Sequence, residues 1–388
     1  MDKIRAKKQK SVSGINTSGK LPEDEKSSSL SMNMETSTGF NSSCVSGENR
    51  DLSRQENQPN PSLTSADYYF DSYSHFGIHE EMLKDEVRTK AYMNAIEQNK
   101  HLFKGKVVLD VGCGTGILSM FAARAGASKV YAIECSSIVD QARVIVADNG
   151  FSDTIEIIQG KMEEITLPVE YVDIIISEWM GYFLLYESML DTVLYARDKY
   201  LRPETGIMLP DKAVLFLCGI EDEEYRSEKI DFWDNVYGFN MRVIKDIAIT
   251  EPLVDVVDRK SVLSNAVPIL HLDILTCTKE DLSFQSDFTL KASRNDFCHA
   301  FVAYFECAFT QIHKPIIFST SPHAKYTHWK QTVFYLSTPL TVCGGDEISG
   351  SIGCHPNASN PRDLDIDLTY AMKNRHMEAD CKQHFRLR

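Results

Sequence analysis

The stretch Val108-Leu109-Asp110-Val111-Gly112-Cys113-Gly114-Thr115-Gly116 decides the fold. A short apolar run, Val107 to Val111, passes directly into glycines at every second position, and a helical pattern continues to Arg124 before stopping at Gly126. That is a strand, a tight turn and a helix. Glycine supplies positive φ and lets a ligand approach the backbone closely. The GxGxG spacing departs from the GxGxxG turn that makes room for a pyrophosphate. A shorter turn suits a nucleoside cofactor that carries no phosphates.

Downstream, the pattern alternates. Strands are expected at Lys129 to Glu134, Ile155 to Gln159 and Val172 to Ser177, with helices at Ser136 to Asp148 and from about Glu187 to Tyr200. Such alternation specifies a parallel, doubly wound, Rossmann-like sheet. Glu134 ends the second strand, where a doubly wound nucleoside site places a carboxylate against the ribose hydroxyls. Turn and acid together point to S-adenosyl-L-methionine, a nucleoside with a cationic sulfonium where phosphates would otherwise be. Upstream, His79 to Asn99 reads as one helix, with Met82, Asp85 and Arg88 advancing by threes along one side.

The strand ending at Ser177 delivers Glu178-Trp179-Met180-Gly181-Tyr182-Phe183-Leu184-Leu185-Tyr186-Glu187, a loop with a carboxylate at each end and no charge between. Ligands of open α/β sheets bind beyond the carboxyl ends of the strands, which puts this loop over the cofactor. Carboxylates in apolar surroundings are costly unless a cation pairs with them. A planar guanidinium fits two carboxylates through its fork of donors. The pairing also suits methyl transfer: the acids draw positive charge onto some nitrogens and leave electron density on another, and a proton must then be accepted nearby.

After Pro210 the texture changes to period two, as in Ala213 to Leu217, Phe301 to Phe309, Thr332 to Leu336 and Ile348 to Ile352, with Gly344-Gly345 as a turn. A β-barrel or sandwich is expected, interrupted by a helical excursion near Glu223 to Tyr237. The expected divisions are a disordered polar tail over 1–65, N-terminal lid helices over 66–100, a cofactor domain over 101–210, and a β-barrel domain over 211–388. The chain's 388 residues are 43% hydrophobic, enough for two packed domains. A formal net charge of -14 argues against direct nucleic-acid binding and suits an Arg-rich protein substrate. Ten cysteines occur without a CxxC pair, and His313, His323 and His328 lack cysteine partners, so no metal is expected. No apolar run nears the roughly 18 residues of a membrane span, so no membrane partner is expected. The basic run Lys3, Arg5, Lys7, Lys8, Lys10 is no secretory signal and is a candidate for nuclear import.

With the two glutamates in place, the chain resembles the protein arginine N-methyltransferases from about Asp67 to Asp367, most closely the principal type I enzyme. Tyr69-Phe70-Asp71-Ser72-Tyr73, His75-Phe76-Gly77-Ile78-His79 and Thr327-His328-Trp329-Lys330-Gln331 match the family's motifs. The resemblance implies that His79, Arg88 and Gly112 serve the cofactor's methionine end, Glu134 its ribose and Glu163 its adenine side. It implies that Glu178 and Glu187 clamp the substrate guanidinium, that His328 is held by Asp85, and that Tyr69 and Tyr73 lie on a closing lid. Met82, Met189 and His328 match the type I pattern, which implies monomethyl and asymmetric dimethyl products, with S-adenosyl-L-homocysteine as by-product. A dimerisation arm is implied at about 222–250, and with it a homodimer. Histone tails, histone H4 among them, and Gly/Arg-rich RNA-binding proteins are the implied substrates, in nucleus and cytoplasm. The tail has no family counterpart, and beyond Arg362-Asp363-Leu364-Asp365 the final strands read as shortened. A methyltransferase with a non-protein substrate remains the alternative.

Overall fold

The computed structural model describes residues 73–388. The polar tail, its basic run and Tyr69 lie outside the described residues. The first described helices are α1 (Phe76–Lys84) and α2 (Glu86–Glu97), followed by a single turn, α3 (Lys100–Phe103). The continuous helix expected over His79 to Asn99 is therefore divided. Asp85 adopts extended backbone (φ −68°, ψ 95°), and its carboxylate accepts the N–H of Arg88 at 3.0 Å. A short acid that bonds its own downstream backbone favours a cap over a helix interior.

The parallel sheet contains β1 (Val107–Val111), β2 (Lys129–Glu134), β3 (Ile155–Gln159), β4 (Ile174–Ser177) and β5 (Ile207–Leu209), in the order β3-β2-β1-β4-β5. Its crossovers are α4 (Ile117–Arg124), α5 (Val139–Asp148) and α6 (Met189–Tyr200). Parallel strands covered on both faces are apolar almost throughout, and Val108, Leu109, Ile174, Ile175 and Ile176 are buried accordingly. β1 is central: the chain runs outward through β2 to β3 on one side, then crosses back to β4 and β5 on the other. The ligand crevice of such a sheet opens at that switch point. Asp110 is the exception inside β1. Burial pushes its carboxyl up to about 7, against hydrogen bonds from Ser119 that lower it. α5 starts at Val139 rather than Ser136 because Glu134 takes the Ser136 N–H at 2.8 Å. α6 starts at Met189 rather than Glu187, because Glu187 and Ser188 hold left-handed backbone.

The second half is antiparallel. Strands β6 (Lys212–Ile220), β7 (Leu253–Asp255), β8 (Val267–Asp273), β10 (Asp296–Phe309), β11 (Ile316–Ser319) and β12 (Gln331–Val342) form one sheet, ordered β7-β12-β10-β6-β8 with β11 on β10. β9 (Phe284–Lys291), β13 (Glu347–Pro356), β14 (Leu364–Lys373) and β15 (Glu378–Leu387) form the other, ordered β15-β14-β13-β9. The sheets fold against each other as a barrel-like sandwich. Its core is aromatic: Phe301 meets Phe288 and Tyr370 edge-on at 5.7 and 5.5 Å, and Phe334 meets Phe385 at 5.1 Å. The C-terminal strands are not shortened. β14 and β15 have 10 residues each and pair along their whole length; the last residues still alternate inward and outward, and that alternation lets the pairing continue.

Between β6 and β7 the chain forms α7 (Glu223–Lys229), a 3-10 turn (Asp231–Asp234) and α8 (Arg242–Ala248). Lys245 ties the limbs together through Asp231 and Asp234, each at 2.7 Å. This arm leaves Phe232, Tyr237, Phe239, Val243 and Ile247 exposed.

Phe301 lies at the centre of the sandwich and is fully buried, while Phe297 on the same strand is 51% exposed. Phe301→Ala is expected to cost about 3–5 kcal/mol, and Phe297→Ala less than about 1 kcal/mol. Urea unfolding measures both; equal losses would show that the inter-sheet aromatics do not hold the two sheets together.

Candidate active site

The C-terminal ends of β1, β2 and β4 open into one cavity of about 390 Å³. Its floor is the glycine turn, where Gly112, Gly114 and Gly116 have φ of +73°, +53° and +83°. At Gly112 a side chain is excluded twice: by the backbone, and because a Cβ would lie 2.3 Å from the Cε of Met189. Glu134 closes one side. Its Oε2 accepts the Gly114 N–H at 2.9 Å and its Oε1 the Ser136 N–H at 2.8 Å. Each carboxylate oxygen has capacity for two hydrogen bonds, so both can also accept from ligand hydroxyls. The His79 Nε2 donates to the Tyr73 carbonyl at 2.8 Å, which ties the first described residue down over the cavity.

Glu178 follows β4 directly. Its Oε2 accepts from the Arg88 Nε at 2.9 Å, and both side chains are only 7% exposed. Its Oε1 is buried with no hydrogen-bond partner among the described residues. A buried carboxylate oxygen left unpaired is expensive, and few survive in folded proteins without a functional reason. Nine residues on, the Oε2 of Glu187 accepts the Tyr73 hydroxyl at 2.8 Å.

The loop joining these acids is strained. Phe183, Leu184, Glu187 and Ser188 all have positive φ (52°, 66°, 76° and 56°) although none is glycine. Each such residue costs on the order of 1–3 kcal/mol and persists only where its surroundings over-determine it. Here they do. Phe183 and Leu184 are buried, and the Phe183 ring packs edge-on against Phe334 of the second half at 5.4 Å. Gly181 N–H reaches the Leu184 carbonyl at 3.0 Å, and the Trp329 Nε1 holds the Met180 carbonyl at 2.7 Å.

Behind the cavity wall, Asp85 does three jobs. Besides capping α2, its Oδ2 accepts the His328 backbone N–H at 2.9 Å and lies 2.8 Å from the His328 Nδ1. Burial pushes the Asp85 carboxyl up, but the hydrogen bonds from His328 and from the Arg88 backbone outweigh it and hold the group below the usual aspartate value. An ionised Asp85 fixes the proton on Nδ1 and leaves Nε2 as the acceptor nitrogen.

Tyr73, His79, Met82, Arg88, Gly112, Glu134, Glu163, Glu178, Glu187 and His328, all expected from the sequence, line this one cavity, with Asp85 immediately behind. Glu163 is at the exposed rim, where Thr192 donates to it at 2.7 Å. Met82 and Met189 face the same space. Arg362 also lines the cavity and was not expected. It lies 175 positions from the glutamate it contacts, and nothing local in the sequence marks that pairing. Among the described residues, five glutamates line the wall (81, 134, 163, 178 and 187) against Arg88, Lys161 and Arg362. The excess of negative charge, the side-chain-free cradle at Gly112 and the diol-competent Glu134 fit an adenosyl sulfonium.

Comparison with known proteins agrees. Residues 211–375 match the model of the arginine methyltransferase oligomerization subdomain, and 108–204 that of a methyltransferase domain. The chain is 59% identical over 330 residues to protein arginine N-methyltransferase 1 of Chlamydomonas reinhardtii, covering 85% of this chain and 95% of the relative. The chain belongs to the protein arginine N-methyltransferase family. The namesake enzyme of Schizosaccharomyces pombe is 61% identical over 313 residues, covering 81% of this chain and 92% of the relative. Among solved structures, the Trypanosoma brucei PRMT1 enzyme-prozyme heterotetramer with AdoHcy superposes with a TM-score of 0.80 at 52% identity, covering 82% of this chain and 100% of that one. Arabidopsis thaliana arginine methyltransferase 10, in an open conformation, gives 0.74 at 32% identity, with coverage of 82% and 100%.

The Asp85 contacts set a pH dependence. A carboxyl held below its unfolded value of about 3.9 adds stability that is present above that pH and is lost as pH falls through the folded value. The stability difference between the wild type and Asp85→Asn, from urea unfolding, is expected to be full at neutral pH and to narrow below about pH 4. A difference that stays constant to pH 3 would show that His328 is not held by an ionised partner.

Proposed function

We propose that this chain is a type I protein arginine N-methyltransferase, which uses S-adenosyl-L-methionine to form monomethyl and asymmetric dimethyl arginine on proteins. The observation that carries the reading is the Oε1 of Glu178, buried and without a partner among the described residues, in a cavity already floored for a nucleoside. Glu134 would hold the ribose, the Gly112 turn and His79 the methionine end, and the Glu163 rim the adenine side. The bound cofactor supplies a methyl carbon made electrophilic by its sulfonium sulfur.

The chain's own residues do the rest. A guanidinium, with a pKa of about 12 or more, is a poor nucleophile because its charge is delocalised. Glu178, oriented by Arg88, and Glu187, oriented by Tyr73, accept its N–H donors and concentrate positive charge on the nitrogens they touch. The remaining nitrogen keeps its electron density. The His328 Nε2, left facing the cavity by the Asp85 contact on the other ring nitrogen, would take the released proton. Met189 narrows the space beside Gly112 and Met82 lines the same cavity, the pair of residues that matches the type I pattern.

Histone tails such as that of H4 and Gly/Arg-rich RNA-binding proteins are the proposed substrates, given the chain's -14 charge and the acidic cavity. The apolar arm residues support a homodimer, in which each arm would cover a face of the partner; sedimentation of the full chain is expected at twice its 43.9 kDa mass, and a monomer at micromolar concentration would count against it. Residence in nucleus and cytoplasm is proposed from the basic N-terminal run and these substrates, and imaging of the tagged full chain tests it.

Incubation with a Gly/Arg-rich peptide should yield asymmetric dimethylarginine by mass spectrometry; symmetric product overturns the type I reading. Glu178→Gln and Glu187→Gln are each expected to slow transfer by roughly 100-fold or more, about 3 kcal/mol of barrier, while S-adenosylhomocysteine binding persists. Rates near wild type in both variants would remove the carboxylate pair from the chemistry.

A further inference from the structure

We propose that Arg362, on the connection between β13 and β14, is a positioning residue for the Glu187 carboxylate, so that the second half of the chain sets the geometry of the substrate clamp. The inference rests on the arginine methyltransferase reading and adds a residue to it.

Glu187 is the last residue of a strained loop, and it and Ser188 both occupy the left-handed region, at φ of 76° and 56°. Backbone of that kind springs back unless something grips it from outside. The grip comes from 175 positions away. Arg362 Nη1 donates to the Glu187 carbonyl at 2.6 Å, and the Glu187 N–H donates to the Arg362 carbonyl at 3.1 Å. One residue on, the Ser188 hydroxyl donates to the Pro361 carbonyl at 2.6 Å. Three hydrogen bonds thus fasten two consecutive left-handed residues to one short strap, and the direction of the Glu187 Cα–Cβ bond follows from them.

The strap is itself preformed. Asn357 is buried, donates through Nδ2 to Asp365 at 2.6 Å, and takes the N–H groups of Ser359 and Asn360 on its Oδ1 at 2.9 and 3.0 Å. Asn360 in turn donates to the Asp363 carboxylate at 2.7 Å and accepts the Arg362 N–H at 3.3 Å. Asp365 lies in β14 and is bonded from β15 by the Arg386 Nε at 3.2 Å. The arginine therefore hangs from a turn already fixed to the sheet. Catalytic groups need their supporting contacts to hold them within a fraction of an ångström, and misplacement of that size costs rate rather than fold.

The test uses the full chain with Arg362→Ala, Arg362→Lys and Ser188→Ala, alone and combined with Glu187→Gln. Initial rates on a Gly/Arg-rich peptide, calorimetric S-adenosylhomocysteine affinity and Tm are measured for each. Arg362→Ala is expected to lower kcat by 10-fold or more, with peptide KM and cofactor affinity within about 2-fold of wild type and the protein still folded. Arg362→Lys, which retains one donor for the Glu187 carbonyl, should recover part of the loss, and Ser188→Ala should show a smaller loss of the same kind. Added to Glu187→Gln, the Arg362 substitution should cost little more, because both act through one carboxylate. An unchanged kcat in Arg362→Ala overturns the proposal. So do a higher peptide KM at constant kcat or a 10-fold loss of cofactor affinity, either of which makes Arg362 a direct ligand contact, and full additivity with Glu187→Gln, which makes it act independently of that carboxylate. If Arg362→Ala does not fold, the Ser188→Ala rates and their additivity with Glu187→Gln decide by the same criteria. A wild type that transfers no methyl to any arginine peptide overturns both this and the functional reading, whereas an active wild type with an unaffected Arg362→Ala overturns this one alone.

Discussion

The site depends on the cost of keeping negative charge away from water. Glu178 lies at the end of a central parallel strand with one oxygen spent on Arg88 and the other, among the described residues, on nothing. In a low-dielectric surrounding that imbalance is an unfavourable state waiting for a cation. A flat guanidinium, the substrate group proposed for this site, would resolve it through its fork of donors. The remaining architecture serves to keep the imbalance from being relieved in other ways. The loop is strained so that Glu187 faces back across the gap, and aromatic rings from the second half clamp it there. Arg88 is itself buried and bonded to the carbonyl of Met82 at 3.3 Å, so it does not swing to cover both oxygens.

The two halves divide this work unevenly. The parallel half supplies the nucleoside crevice and both glutamates, Glu178 at a strand end and Glu187 just before α6. The antiparallel half supplies His328, the indole that fixes the Met180 carbonyl, and the Arg362 strap. Neither half contains a complete site. Asp85 joins the two at one point: a single carboxylate caps α2 in the first half and anchors a histidine of the second.

The parts of this that the sequence made legible are those governed by local rules. Strand, turn and helix around Val108 to Gly116 follow from apolar periodicity and glycine spacing, and Glu134 from its distance to that turn. The paired acids stand out because so long a loop carries no other charge. Less legible were the places where local preference and tertiary demand disagree. Periodicity carried one helix through Asp85, since nothing in Lys84-Asp85-Glu86 announces that the aspartate will bond Arg88 instead of continuing the helix. It carried another back to Glu187, because left-handed backbone at a glutamate is imposed by packing and by a strap far along the chain. The C-terminal strands read as weak because polar residues such as Lys382 and Gln383 interrupt them, yet one face of β15 still supplies Phe385 and Leu387 to the core.

The arm has a consequence for how the chain lives in solution. Tyr237 is 97% exposed, and Phe239, Val243 and Ile247 lie near it in the open. Clustered grease of that sort is tolerated in water only while it is dilute or covered. Residues 211–375 match an oligomerization subdomain, and another subunit is the cover proposed for the arm. Folding is then unfinished when a single chain has collapsed, and mass action decides how much of the population reaches its final, shielded form. Abundance itself becomes a determinant of colloidal health: a scarce chain waits with its adhesive limb bare, open to whatever sticky surface arrives first.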